Sequence, residues 1–196
     1  CNDLGTNTVA LSVTDTNGNT GTNTAVVTVV DGINPVAITK NITVQLDASG
    51  NATITGNDID DNSSDNCGIV SKNVDIPTFT CDDLGTNTTT LSVEDASGNT
   101  DTEVATVTIV DTIDPVAIGQ DIVKDLNGNT SVTILASELD NGSSDNCNYT
   151  LSIDVDTFAA TGVYPVVLTV TDASGNSDSA TVNVTVVDGT LNTAKP

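Results

Sequence analysis

The chain has 196 residues, with 27 acidic side chains against four lysines and no histidine, for a formal charge of −23. Nucleic acid and anionic membrane surfaces are poor partners for it, because both are held by cationic side chains; multivalent cations are the natural counter-ligands. Without histidine the usual general base and the favoured zinc, copper and iron ligand are missing, while carboxylate, amide and carbonyl oxygens remain, and these suit Ca²⁺.

In chain order, Val9, Leu11 and Val13 alternate with small or polar residues, and Ala25, Val27 and Val29 do so after the turn "DTNGN" at 15–19. This predicts an antiparallel hairpin with one buried face. The linker "VVDGINPVAI" (29–38) leads into a strand predicted over 36–46, where Ile42, Val44 and Leu46 alternate. A strand over 51–56, an acidic loop over 57–68 and a strand from 69 follow. Strands over 88–94 and 100–110 then restate the first hairpin with Thr89/Leu91/Val93 and Ala105/Val107/Ile109. Val166/Leu168/Val170 and Val182/Val184/Val186 restate it once more. No segment shows helical periodicity, and no apolar run reaches the roughly 18 residues of a membrane helix.

These restatements have a fixed spacing. "CNDLGTNTVALSVTDTNGNT" (1–20) matches "CDDLGTNTTTLSVEDASGNT" (81–100) at an offset of 80, and "SSDNC" recurs at 63–67 and 143–147. "TDASGN" at 171–176 restates 94–99 at an offset of 77. The expected organisation is the C-terminal part of one truncated repeat (1–34), two whole repeats (35–114 and 115–188) and a tail or linker (189–196). Short strands with turns every 8–12 residues indicate an all-β chain of tandem Ig-like or fibronectin-III-like antiparallel sandwiches. A core of this size with 2% aromatics needs further support from a metal, a disulfide or the next repeat.

The stretch "DIDDNSSDNCG" (58–68) holds Asp58, Asp60, Asp61 and Asp65. In a sandwich this stretch is the loop between the second and third strands, which lies at the same end as the hairpin turn "DASGN" and the incoming linker. One junction therefore collects Asp31 and Asn34 from the linker, those four aspartates, and Asp95 and Asn99 from the hairpin. The next collects Asp111 and Asp114, then Glu138, Asp140 and Asp145, then Asp172 and Asn176. Ca²⁺ takes six to eight oxygen ligands, so these residues are expected to hold Ca²⁺ and stiffen each junction. The competing reading is that Asp95 and Asn99 only form their turn, since Asp and Asn bond their own backbone.

Among the four cysteines, Cys67 and Cys81 are the one complete pair within a repeat, and their disulfide would close a loop worth about 3 kcal/mol. Two observations oppose it. The third repeat has Cys147 but "FAATG" where the second cysteine belongs, and the strand map puts Cys67 and Cys81 near opposite poles. Cys1 is expected to lack its partner through truncation.

"DNCG" (65–68), "LGTNTTTLSVEDASGNT" (84–100) and a strand ending in "VTIVD" resemble the hyalin repeat, a sandwich module of extracellular adhesive proteins. "NITVQLDASGNATIT" (41–55) followed by the acidic loop looks closer to repeats of giant surface adhesins of gliding bacteria. A further disulfide frequent in that family is absent, since Asn23 and Thr39, then Glu103 and Gly119, stand at its positions. The resemblance implies a non-enzymatic, exported chain whose partners are its own neighbouring repeats, in an adhesive stalk of a cell-surface or filamentous protein. The alternatives are a fibre-forming subunit that packs against identical chains, and a calcium-dependent carbohydrate-binding module with a surface or glycan target.

Overall fold

The computed structural model describes residues 1–189 of the chain; the expected tail lies almost wholly outside the described residues. The period-two pattern becomes β1 (Gly5–Thr14), β2 (Thr20–Val29), β3 (Ile42–Gln45), β4 (Asn51–Thr53), β5 (Ile69–Val74), β6 (Thr78–Thr80), β7 (Gly85–Asp95) and β8 (Thr100–Val110). It continues as β9 (Ile122–Asp125), β10 (Val132–Thr133), β11 (Tyr149–Ile153), β12 (Thr157–Phe158), β13 (Gly162–Asp172) and β14 (Ser177–Val187). Hydrogen bonds group them as β1-β2, β3-β8-β7-β5, β4-β6, β11-β13-β14-β9 and β10-β12.

The expectation of strands and turns alone is corrected at two places. One-turn helices α1 (Gly56–Ile59) and α2 (Ala136–Leu139) interrupt it, with a 3₁₀ turn at Cys81–Asp83. They are too short to show a helical period. For α1 the signal is a residue pair three apart, as in a capping box: Thr55 donates its N–H and Oγ1 to Asp58 Oδ2, each at 2.7 Å, while before α2 only the Leu135 N–H donates, to Glu138 Oε2. The strand expected over 36–46 is also split. Val36 and Thr39 bridge to Ser64 and Asp60 of the acidic loop, and only Ile42–Gln45 joins the main sheet.

Chain contacts divide the molecule into two compact units, each described by itself. One comprises Cys1–Thr43, Thr53–Thr78 and Thr86–Thr108; the other comprises Val44–Ala52, Phe79–Gly85 and Ile109 onward. In the first, β1 and β2 pair from Gly5–Val29 to Thr14–Thr20, and β5 pairs antiparallel with β7. In the second, β13 pairs with β11 and β14 antiparallel, and β9 lies parallel to β14. The core of the second unit draws Val166, Leu168, Val182, Val184 and Val186 from the four-stranded sheet and Phe158 from the two-stranded one. Leu126, Ile134 and Leu139 close it between them. Two sheets sharing one apolar core is the sandwich that the alternation requires.

Candidate functional site: two carboxylate clusters and two disulfides

The hairpin turns provide the first wall of each cluster. In "DASGN" at 95–99, Asp95 Oδ1 accepts the N–H groups of Ser97 and Asn99 at 2.9 and 2.8 Å, and Oδ2 accepts Asn99 Nδ2 at 2.7 Å. Gly98 takes φ +86° to close the turn. Burial alone would push the Asp95 carboxyl up, yet these donors together hold it below its ordinary value. Asp172 accepts the equivalent donors, Oδ1 the N–H groups of Ser174 and Asn176 at 2.9 and 2.8 Å and Oδ2 the Asn176 Nδ2 at 2.7 Å. Asp95 and Asn99 thus form their turn, and the same turn sets the buried Asp95 carboxylate beside Asp31 and Asp65.

The linker forms the second wall. Asn99 Nδ2 donates to the carbonyls of Asp31 and Ile33, each at 3.2 Å, and Asn176 Nδ2 donates to the carbonyl of Asp111 at 3.1 Å. The loop "SSDNC" forms the third. Asp65 Oδ2 accepts the Cys67 N–H at 2.6 Å, and Asp145 Oδ2 accepts that of Cys147 at 2.9 Å.

Asp31, Asp65 and Asp95 thus offer carboxylate oxygens within 4.8 Å of one another, and Asp111, Asp145 and Asp172 do the same. Asp95, Asp111 and Asp172 are buried. Asp65 Oδ1, Asp111 Oδ2 and Asp145 Oδ1 are buried with no hydrogen-bond partner. Among the described residues the ion pairs are Lys72–Asp60 and Lys124–Glu138, so no lysine neutralises either cluster. Close, buried and unpaired carboxylates are costly without a positive charge among them. Oxygen-only donors of this kind fit a hard cation such as Ca²⁺.

The expected ligand set is narrower in the structure. Of the four aspartates in 58–65, only Asp65 reaches its cluster. Asp58 caps α1, and the Thr55 hydroxyl and N–H hold its carboxyl below the ordinary value. Asp60 meets Lys72 at 2.5 Å and accepts the Ser63 N–H, while the Asp61 carboxylate is exposed. Glu138 pairs with Lys124 and caps α2, and Asp140 accepts the Ser143 N–H at 3.0 Å. Asn34 and Asp114 are exposed. The helices α1 and α2, invisible to periodicity, give Asp58 and Glu138 their structural work. Two asparagines were not expected at the junctions. Asn66 Nδ2 donates to both carboxylate oxygens of Asp31 at 3.3 Å, and Asn146 Nδ2 donates to the carbonyl of Asp47 at 3.4 Å. Their signal was already in the repeated "SSDNC".

The Cys67–Cys81 disulfide is a correction. The bonds are Cys1–Cys67 and Cys81–Cys147, with Cα–Cα distances of 5.3 and 5.6 Å and the same sequence separation of 66. The physical reason is the loop's docking. By bringing Asp65 to Asp31, the loop carries Cys67 to the cysteine of the preceding segment instead of to the one that follows it. Cys1 therefore has its partner within the chain, and Cys147 needs none from "FAATG". Gly50 makes the second bond possible: a Cβ there would stand 2.6 Å from both Cys81 Sγ and the Asn146 carbonyl oxygen.

No known protein-family model matches the chain. A curated relative, the "Uncharacterized 81.3 kDa protein" of Acholeplasma phage L2, is 33% identical over 189 residues, which are 91% of this chain. The chain spans about a quarter of that relative's length, with 26% covered. Solved structures with a likeness include "Structure of mouse clustered PcdhgC3 EC1-3", with 14% identity and a TM-score of 0.38 over 94% of this chain and 78% of that one. "Crystal Structure of Protocadherin Gamma C5 EC1-3" has 9% identity and a TM-score of 0.41 over the same shares, 94% and 78%. At these scores the likeness carries no statement about binding or fold.

Proposed function

We propose that this chain is a segment of an extracellular adhesive stalk, built of tandem Ig-like sandwiches about 80 residues apart in sequence. In this reading successive sandwiches are joined by a disulfide and by Ca²⁺ at a three-carboxylate cluster. The observation that carries it is the triplet Asp-Asn-Cys, at 65–67 and 145–147. Both times the aspartate joins the carboxylate cluster, the asparagine bonds a residue of an earlier segment, and the cysteine bonds the cysteine 66 positions before it. Two disulfides and no free cysteine favour an oxidising, extracytoplasmic location. The hyalin-repeat resemblance supports the module type, and a gliding-bacterium surface filament is the setting it suggests. Among the described residues no helix is long and apolar enough to cross a membrane.

The four aromatics disfavour the carbohydrate-binding alternative. Phe79 and Phe158 are buried, Tyr164 packs on Phe158 at 5.0 Å between ring centroids, and the Tyr149 hydroxyl bonds the Ser143 carbonyl. None is an exposed platform on which a sugar could stack. Calorimetric titration of the whole chain with Ca²⁺, beside thermal melting in Ca²⁺ and in EDTA, tests the stalk reading. Two sites and a higher melting temperature in Ca²⁺ are expected; no heat and an unchanged melting temperature would sink the role of calcium.

A further inference from the structure

Each cluster is tied to a disulfide through two peptide units. Asp145 Oδ2 accepts the N–H of Cys147, its Oδ1 is buried and unpartnered, and its carboxylate lies with those of Asp111 and Asp172, oxygens within 4.8 Å of one another. The intervening Asn146 touches the same bond from the other side, its carbonyl 3.4 Å from Cys81 Sγ and its Nδ2 3.7 Å from Cys147 Sγ. Asp111, whose own Oδ2 is buried and unpartnered, is 5% exposed. The unpaired oxygens therefore point to a cation independently of the count of acids, and the tripeptide leaves no slack between that cation and the sulfurs.

We propose that cation and disulfide act as one coupled clasp: a hard divalent cation of the Ca²⁺ class, bound by Asp111, Asp145 and Asp172, protects Cys81–Cys147 from reduction. The intact disulfide in turn raises the affinity for the cation. The proposal rests on the reading that this cluster holds Ca²⁺. Without a cation the three carboxylates repel, and Asp145 is pushed away from Asp111 and Asp172 against the restraint of the disulfide. Reduction relieves that repulsion. With the cation bound, Asp145 is attracted to the same place, and separating the sulfurs would pull a ligand off the metal. Linkage makes the two effects equal in size. The reaction concerned is two-electron exchange with a dithiol. A thiolate of the reductant attacks one sulfur, its second thiol resolves the mixed disulfide, and the products are two cysteine thiols and the cyclic disulfide of the reductant. The first cluster is built alike, with Asp65 Oδ2 on the Cys67 N–H and Asp65 Oδ1 unpartnered.

The test equilibrates the full chain with mixtures of reduced and oxidised dithiothreitol, with millimolar Ca²⁺ or with EDTA. Acid quench, alkylation and peptide mass spectrometry then read each cysteine pair, and calorimetry is run on the same samples. Ca²⁺ is expected to raise the reductant-to-oxidant ratio at half-reduction of Cys81–Cys147 by about tenfold, a typical coupling between sites. Asp111→Asn, which keeps the shape and leaves both hairpin turns untouched, is expected to abolish that shift for Cys81–Cys147 and to spare the shift for Cys1–Cys67. Calorimetric binding with no shift would overturn the coupling and leave the calcium reading standing. No binding heat would overturn both. A shift that survives Asp111→Asn would overturn the ligand assignment.

Discussion

Leu11 and Leu91 stand at the same place in two nearly identical stretches, "LGTNTVALSV" (4–13) and "LGTNTTTLSV" (84–93), yet Leu11 is 66% exposed and Leu91 is 0% exposed. The hairpins themselves do not differ. β1 and β2 pair over ten positions, as β13 and β14 do, and Asp15 accepts the N–H groups of Asn17 and Asn19 as Asp172 does those of Ser174 and Asn176. What differs is the cover. Leu168, the third equivalent, lies under Phe158, Ile134 and Leu139, whereas nothing among the described residues covers Val9, Leu11 and Val13. The hairpin is thus encoded locally by alternation and turn chemistry, while its burial is encoded some tens of residues away, in the strands and one-turn helix of the opposite layer.

Four measurements would break or sharpen that contrast. The largest effect is expected from replacing Cys1 and Cys67 together by serine. A lone hairpin is marginal in water, and this bond closes a loop worth about 4 kcal/mol in the chain-entropy model. Hydrogen exchange of the β1–β2 amides should rise toward unprotected rates while the β13–β14 amides stay protected. Retained protection in β1–β2 would show that the ladder stands without its anchor. Next, Leu168→Ala should cost about 3 kcal/mol by urea denaturation, as a large-to-small change in a packed core, and Leu11→Ala under about 0.5 kcal/mol. Equal losses would mean that the first hairpin is covered in solution.

A smaller effect separates the turns. Asp172→Ala removes a buried carboxylate that accepts three hydrogen bonds and should cost about 2 kcal/mol, while Asp15→Ala at the exposed turn should leave the denaturation midpoint in place. The smallest is a pH effect. The Thr90 N–H and the Thr89 hydroxyl bond Asp75 Oδ1 and lower its carboxyl to about 2. That contribution is complete above the unfolded value near 4 and disappears as pH falls toward 2. Asp75→Asn should therefore flatten the loss of stability between about pH 4 and pH 2. The first hairpin, with Val9 and Ala10 in place of the two threonines, has no such acid among the described residues.

The same division explains what could be read from the sequence. Period-two alternation located β1, β2, β7, β8, β13 and β14, because half-buried strands must alternate whatever covers them. The offset of 80 brought Asp31, Asp65 and Asp95 into one expected group, and Asp111, Asp145 and Asp172 into another, since linker, loop and turn meet at one end of a sandwich. Asp58, Asp60, Glu138 and Asp140 were over-assigned. Acid residues look alike in a sequence, and only the folded chain reveals that Asp58 and Glu138 cap the helices, that Asp60 and Glu138 pair with lysines, and that Asp140 accepts the Ser143 N–H. The disulfides were misread for a related cause. Cysteine pairing was sought within a repeat, where spacing is short, whereas the loop's docking decides the partner across 66 positions.

The disulfides also determine how the chain would carry tension. A pull applied between Cys1 and Cys147 passes through the sulfurs and skips 2–66 and 82–146, leaving only the 14 residue steps from Cys67 to Cys81 able to pay out. Fully extended, those steps span about 50 Å, where the whole stretch without its disulfides would reach about 500 Å. All three members of each carboxylate cluster lie outside residues 67–81, the length that pays out. The chain is wired as a nearly inextensible cord, with a short fuse between one covalent shortcut and the next.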